Sequence, residues 1–224
     1  MVVRQRAVQA GDKHERHHAI LDAAEQLLLR SPERIANMAE VADAAGLAKG
    51  TVYLYFPSKE ELLLALHERN VDSFFQALQA LLDRDAGVAI DDVNALTRTH
   101  IVAPPLFLPL ASRCFGVMDQ NVPVDAARAF KQRMAEHLER AGAGLERHFP
   151  QLPVGGGVTL LRHSYALILG LWQMAGEAAH RGAGATTAPE SIVFGWSYAD
   201  ELAAALRALW EGTLSRAARD GGSR

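Results

Sequence analysis

The sequence predicts an all-α protein, on three observations. Apolar residues recur three and four apart along most of the chain, no convincing period-two strand occurs, and helix-start and helix-stop residues stand at the ends of the periodic runs. In HHAILDAAEQLLLR, Ile20, Leu21, Ala24, Leu27 and Leu28 share one helical face, and Ser31-Pro32 ends the pattern. Asn37 is a good N-cap with Glu40 three residues later, and Gly46 stands where a helix end favours a positive φ, so a helix of barely two turns lies between them. The next segment, LAKGTVYLYF, must end at Phe56-Pro57, because the residue before a proline is pushed out of the α region. Ser58-Lys59-Glu60-Glu61 then reads as a capping box opening a long helix to about residue 84. Further helices are expected over 91–103, cut by Pro104-Pro105, and over 106–118, 123–149 with an interruption at AGAG, 157–181 and 189–217. The first dozen residues and the final RDGGSR are expected to be disordered.

Composition bounds the function. The chain has 224 residues, of which 49% are hydrophobic and 22% charged, enough for a real core. No apolar run reaches the roughly 18 residues of a membrane helix and the N-terminus lacks a signal-peptide apolar region, so a cytoplasmic protein is expected. The single Cys114 forms no internal disulfide, in keeping with a reducing compartment. With a net charge of −3 the chain is not a basic nucleic-acid binder as a whole, and any contact with DNA must come from a local patch.

Such a patch lies at residues 45–62, AGLAKGTVYLYFPSKEEL. A two-turn helix, a glycine-containing turn and a second short helix make a helix-turn-helix, whose second helix enters the DNA major groove. Lys49, Gly50 and Thr51 offer a cation, a residue without a side chain to hinder backbone approach, and a small hydroxyl. Tyr53 and Tyr55 point about 200° apart on a helix, so they cannot both face the core. Val52, Leu54 and Phe56 are expected to hold the helix to its neighbours while at least one tyrosine meets the phosphate or sugar backbone. Lys59 adds a charge beside the amides opening the next helix. Upstream, Arg4, Arg6, Lys13 and Arg16 form either a basic arm or a solvated tail.

Taken in order, ILDAAEQLL, MAEVADAAGLAKGTVYLYF and PSKEELLLAL resemble the N-terminal DNA-binding domain of the TetR family of bacterial transcriptional regulators over roughly residues 17–66. The resemblance implies a three-helix helix-turn-helix domain followed by a larger helical domain that binds a small-molecule effector and dimerises. It implies DNA contacts at Lys49, Gly50, Thr51, Tyr53, Tyr55 and Lys59, with Asn37 as a phosphate partner. Ala48 departs from the usual serine or similar cap, which leaves that helix one side-chain cap short, worth roughly 1 kcal/mol. RSPERIAN also lacks the glycine common after the family's first helix. The organisation expected is an arm over 1–16, a DNA-binding domain over 17–66, an effector and dimerisation domain over 67–218 and a tail over 219–224.

The C-terminal part supports a dimer from its own pattern. Ile192, Trp196, Ala199, Ala203, Leu206 and Trp210 alternate by four and three, and Val193, Leu202, Leu209 and Leu214 widen the stripe beyond one apolar face. Leu160, Leu161, Ser164, Leu167, Ile168, Leu171 and Ala175 behave similarly, so one side of each helix is expected to meet its own domain and the other a symmetric partner, with a simple buried core helix as the alternative. Polar and aromatic residues on the otherwise apolar middle helices are the effector candidates: His100, Phe107, Arg113, Phe115, Met118, Met134, His163, Tyr165, Trp172 and Gln173. A buried Arg113 would favour an anionic ligand.

The partners expected are therefore a palindromic DNA duplex, a second copy of the chain and a small effector, with no membrane, cofactor or metal. Enzymatic readings are poor. GWSYA ends in alanine and lacks the strand of a nucleophile elbow, and VGGGVT has no phosphate-loop ending. A di-iron helical bundle is the rival, because Glu15 with His18 and Glu177 with His180 have the required spacing, but one pair falls at a helix entrance and the other beside a glycine loop.

Overall fold

A computed structural model describes residues 2–31, 34–117, 122–180 and 196–221, and every regular element among them is helical. Helix α1 spans Val2–Arg30, α2 Met38–Ala44, α3 Lys49–Tyr55 and α4 Lys59–Leu82. Helix α5, Ile90–Thr97, continues into a π turn over Arg98–Val102, closed by the Ala103 N–H donating to the Arg98 carbonyl at 2.8 Å just before the two prolines. Then come α6 over Phe107–Val117, α7 over Val124–His148, α8 over Gly156–His180 and α9 over Tyr198–Gly221.

Two of these spans differ from expectation at the termini. Helix α1 begins at Val2, where the first dozen residues are expected to be disordered within a flexible arm over 1–16, and α9 extends to Gly221. Arg, Gln, Ala, Lys and Glu dominate the segment before residue 17, and all are good helix formers, so polarity there does not preclude helix.

The chain forms two units, Met1–Asn70 with Pro105–Ala127, and Val71–Pro104 with Arg128–Arg224. In the first, Ile20, Leu21 and Leu28 of α1 meet Met38 and Val41 of α2, Val52 and Phe56 at α3, and Leu62 and Leu66 of α4 in one core. Each such side chain contributes roughly 1.5–3 kcal/mol on full burial. Leu106 and Leu110 join the same core, so α6 packs with the helix-turn-helix although it lies far along the chain. The His67 ring meets the Phe107 ring edge-on at 5.4 Å, and burial pushes the His67 imidazole down to about 4. Burial pushes the neighbouring Cys114 thiol up to about 12, which leaves it an inert packing group. On the opposite flank, Arg69 pairs with Asp22 and, at 2.7 Å, with Glu25, fastening α4 to α1.

In the second unit α7 and α8 touch backbone to backbone. A Cβ added at Gly157 would lie 2.2 Å from the Gly142 carbonyl oxygen, and one added at Gly144 would lie 2.9 Å from Leu82 Cδ1. The AGAG glycines therefore do not interrupt α7, as their helix propensity suggests; they permit the crossing. Glu146 Oε1 accepts the Gly157 N–H at 3.0 Å, and His148 Nε2 bonds the Leu82 carbonyl at 2.9 Å.

Helix α9 packs on α8 through Leu202, Leu206, Trp210 and Leu214, all buried. The Trp210 Nε1–H donates to Ser164 Oγ at 2.9 Å, and the Ser164 hydroxyl donates to the Leu160 carbonyl at 2.8 Å. Leu206 and Trp210, expected at a dimer surface, are thus core residues of their own chain. A repeat of three and four identifies a covered face but not which neighbour covers it. Of the other expected interface residues, Leu167, Leu171, Trp196 and Ala199 are half-buried, Ala203 is exposed, and Ile192 lies outside the described residues.

Candidate nucleic-acid interface

Helix α2 is fixed at both ends by local chemistry. Asn37 Oδ1 accepts the N–H groups of Ala39 at 2.9 Å and Glu40 at 3.1 Å, while the Glu40 carboxylate accepts the Asn37 N–H at 2.8 Å. Arg34 grips that carboxylate in a two-pronged pair at 2.8 and 3.0 Å. The Arg34 hydrogen bonds, followed by the Asn37 N–H, hold the Glu40 carboxyl below its ordinary range. Arg34 is the residue of this cap that sequence reasoning missed. Asn37 is exposed, and since its carbonyl oxygen is engaged in the cap, its amide nitrogen is the group left for an external acceptor.

The exit from α2 is a Schellman turn. Gly46 has φ +66°, the Leu47 N–H donates to the Ala42 carbonyl at 2.9 Å and the Gly46 N–H to that of Asp43 at 3.2 Å. Leu47 packs against the core just beyond it. Residues 45–48 therefore deliver the chain into α3 in one turn, with Ala48 at its N-cap making no side-chain cap bond.

Helix α3 divides sharply into two faces. Val52 is completely buried and Phe56, one turn later, nearly so, and Tyr55 packs partly against the same core. Leu54, expected in that core, is instead 84% exposed. Residues two apart on a helix lie about 200° from each other, so Leu54 falls opposite Val52. The rule that separates the tyrosines was sufficient to find it. Tyr53 is the outward tyrosine, 42% exposed, and its ring carries the Lys49 ammonium 5.8 Å from its centroid. Lys49 and Gly50 are exposed and Thr51 half-buried.

Helix α4 opens with Ser58 Oγ accepting the Glu61 N–H at 3.1 Å. Lys59, half-buried, has its ammonium 3.9 Å from Glu60. His17 of α1 packs near this corner, its ring tilted against that of Phe56 at 4.9 Å and 6.5 Å from that of Tyr55. Burial, then the neighbouring His18 and His14, lower its pKa, so it stands there as a neutral aromatic group at pH 7.

The effector candidates are spread over both units. Phe107 is core and Arg113 half-buried in the first unit. In the second, His100 Nδ1 lies 3.3 Å from Ser73 Oγ and the Trp172 ring meets that of Tyr198 edge-on at 5.3 Å. Met134 and Tyr165 are half-buried there, while His163 and Gln173 face solvent. Met118 and the Phe115 side chain lie outside the described residues, as do the side chains of Glu177 and His180. Among the described residues no three His, Cys, Asp or Glu side chains gather as a metal-ligand set, and nothing supports the di-iron alternative. No described helix is long and apolar enough to cross a membrane.

A capped two-turn helix, a Schellman turn and a short helix with one buried and one bare face define a helix-turn-helix protein. Comparison with known proteins gives the family. Residues 20–66 match the model described as bacterial regulatory proteins, tetR family, and residues 68–217 match that of the tetracyclin repressor-like C-terminal domain. The chain belongs to the TetR family. It is 41% identical over 83 residues to the HTH-type transcriptional regulator EthR of Mycobacterium tuberculosis, a match covering 37% of this chain and 38% of EthR. It is 28% identical over 168 residues to the HTH-type transcriptional repressor LfrR of Mycolicibacterium smegmatis, covering 63% of this chain and 87% of LfrR. A solved TetR transcriptional regulator from Rhodococcus sp. RHA1 superposes with a TM-score of 0.57 at 21% identity, over 88% of this chain and 97% of that one, a likeness of fold.

Proposed function

We propose that the chain is a sequence-specific DNA-binding transcriptional regulator that acts as a homodimer on a palindromic operator and is released from it by a small-molecule effector. The observation that carries this reading is the bare face of α3, with Gly50 and Leu54 at its centre and Lys49, Thr51 and Tyr53 around them. A helix whose outer side carries small, hydroxyl-bearing and cationic residues around a single exposed leucine suits a groove walled by phosphates and floored by base edges. In this role Lys49, Lys59 and the hydroxyls of Thr51 and Tyr53 contact phosphate, the Asn37 amide nitrogen donates to phosphate, and Gly50 admits the backbone. Tyr55 mainly holds α3 in place.

Dimerisation reconciles this with the charge. A chain of net charge −3 offers DNA only a modest local cationic patch, and two copies one duplex turn apart double it and read a palindrome. The uncovered sides of α8 and α9, including Leu167, Leu171, Ala199 and Ala203, are the proposed contact. Effector control follows from linkage: a ligand that prefers the arrangement unable to span both half-sites lowers operator affinity by its differential binding to the two states. LfrR is named a repressor, which favours repression for its relative here. Selection of bound sequences from a random duplex pool tests the proposal. An enriched palindrome supports it, and a pool that stays random after repeated rounds removes it.

A further inference from the structure

Leu54 is the most exposed large apolar side chain on the helix-turn-helix, and nothing in the packing among the described residues accounts for it. It lies opposite Val52, on the face that carries Gly50 four residues earlier. Helical side chains lean toward the N-terminus, so Leu54 extends over the turn that Gly50 leaves bare. A Cβ at Gly50 would meet no atom within 4 Å, which shows that the protein itself leaves this space open. Beside it stand Tyr53 and the Lys49 ammonium, placing an apolar centre next to a cationic and hydroxyl-bearing edge.

The major groove offers the complement of that pattern. Its walls are phosphates, and its floor displays hydrogen-bonding groups together with a single kind of apolar group, the C5-methyl of thymine. A leucine has no donor or acceptor, so the methyl is the base-edge group it can recognise. We propose that Leu54 is a specificity determinant that packs on a thymine methyl in each operator half-site, so that a T·A pair is required at that position. The assignment rests on the regulator reading above.

The test uses the full-length chain and the duplex enriched from a random pool, with each thymine replaced in turn by deoxyuridine. That change deletes one methyl and leaves base pairing intact. Burying one such group corresponds to about a 4-fold change in affinity, so about 15-fold is expected when both half-sites are changed together. The expected result is one thymine per half-site at which the replacement weakens wild-type binding by these factors and leaves Leu54→Ala binding unchanged. Because Leu54 is exposed, Leu54→Ala should keep the wild-type helical signal and melting temperature. Insensitivity to deoxyuridine at every thymine, or equal sensitivity in Leu54→Ala, overturns the assignment while the regulator reading stands. A change in the oligomeric state of DNA-free Leu54→Ala also overturns it, by showing that the leucine meets protein. If the pool yields no enriched duplex, the regulator reading itself fails and the assignment with it.

Discussion

Replacing Gly50 by alanine separates what the fold needs from what DNA needs. Gly50 is the second residue of α3, its φ is not positive, and a methyl there would touch nothing within 4 Å. Alanine is favoured over glycine in a helix by about 0.5–1 kcal/mol, and the lower end applies in a first turn. For a chain of this size that raises the melting temperature by about 1–3 °C. On the DNA side the same methyl enters the space between the α3 backbone and the groove, and loss of close approach should weaken operator binding at least tenfold, about 1.4 kcal/mol. Thermal unfolding followed by circular dichroism and fluorescence anisotropy on a labelled operator measure the two effects. A more stable variant with weaker binding is expected. A stabilised variant with unchanged affinity would refute the placing of Gly50 against DNA, and a destabilised one would refute the reading of the α3 backbone.

Three further outcomes are expected. Lys49→Ala removes one phosphate contact from each subunit, so the slope of log affinity against log salt should become shallower by about 2 for the dimer; an unchanged slope would place Lys49 off the phosphates. Gly157→Ala drives a Cβ to 2.2 Å from the Gly142 carbonyl and should cost about 3 kcal/mol or more in a denaturant titration, because backbone cannot step aside as a side chain tip can. His67 is held neutral by burial, with a folded pKa of about 4 against 6.5 unfolded. The unfolded chain therefore binds more protons between those values, and His67's contribution, fully present above pH 6.5, falls as pH drops through the window, on the order of 2 kcal/mol by pH 5. His67→Phe should flatten stability over that range, and an equally steep profile would assign the acid sensitivity to other groups.

Much of the helix-turn-helix was legible in the sequence because its determinants are local. Asn37 with Glu40, Gly46 before Leu47, and Phe56 before Pro57 each act over five residues or fewer, and each sits where its chemistry requires. The family resemblance of the same stretch rests on those positions, and the matched models extend it over residues 20–217 except one. What was misread depends on distant neighbours. Gly142 and Gly144 look like helix breakers until Gly157 and Leu82 are brought against them. Trp210 looks like an interface residue until Ser164 takes its N–H. The affiliation of α6 with the first unit is set by Leu106 and Leu110 reaching a core built some 40 or more residues earlier, which no window along the chain can see. Leu54 is different, since the angular rule was available and the residue type, apolar and therefore presumed inward, obscured it.

The central claim is that α3 reads a specific duplex, and the most direct measurement is the ratio of affinities for the selected palindrome and for a scrambled duplex of equal length and composition. Anisotropy at physiological salt with the full-length chain should find the palindrome bound at least about 10³-fold more tightly, with two chains per duplex. A ratio near one, at any stoichiometry, would contradict it.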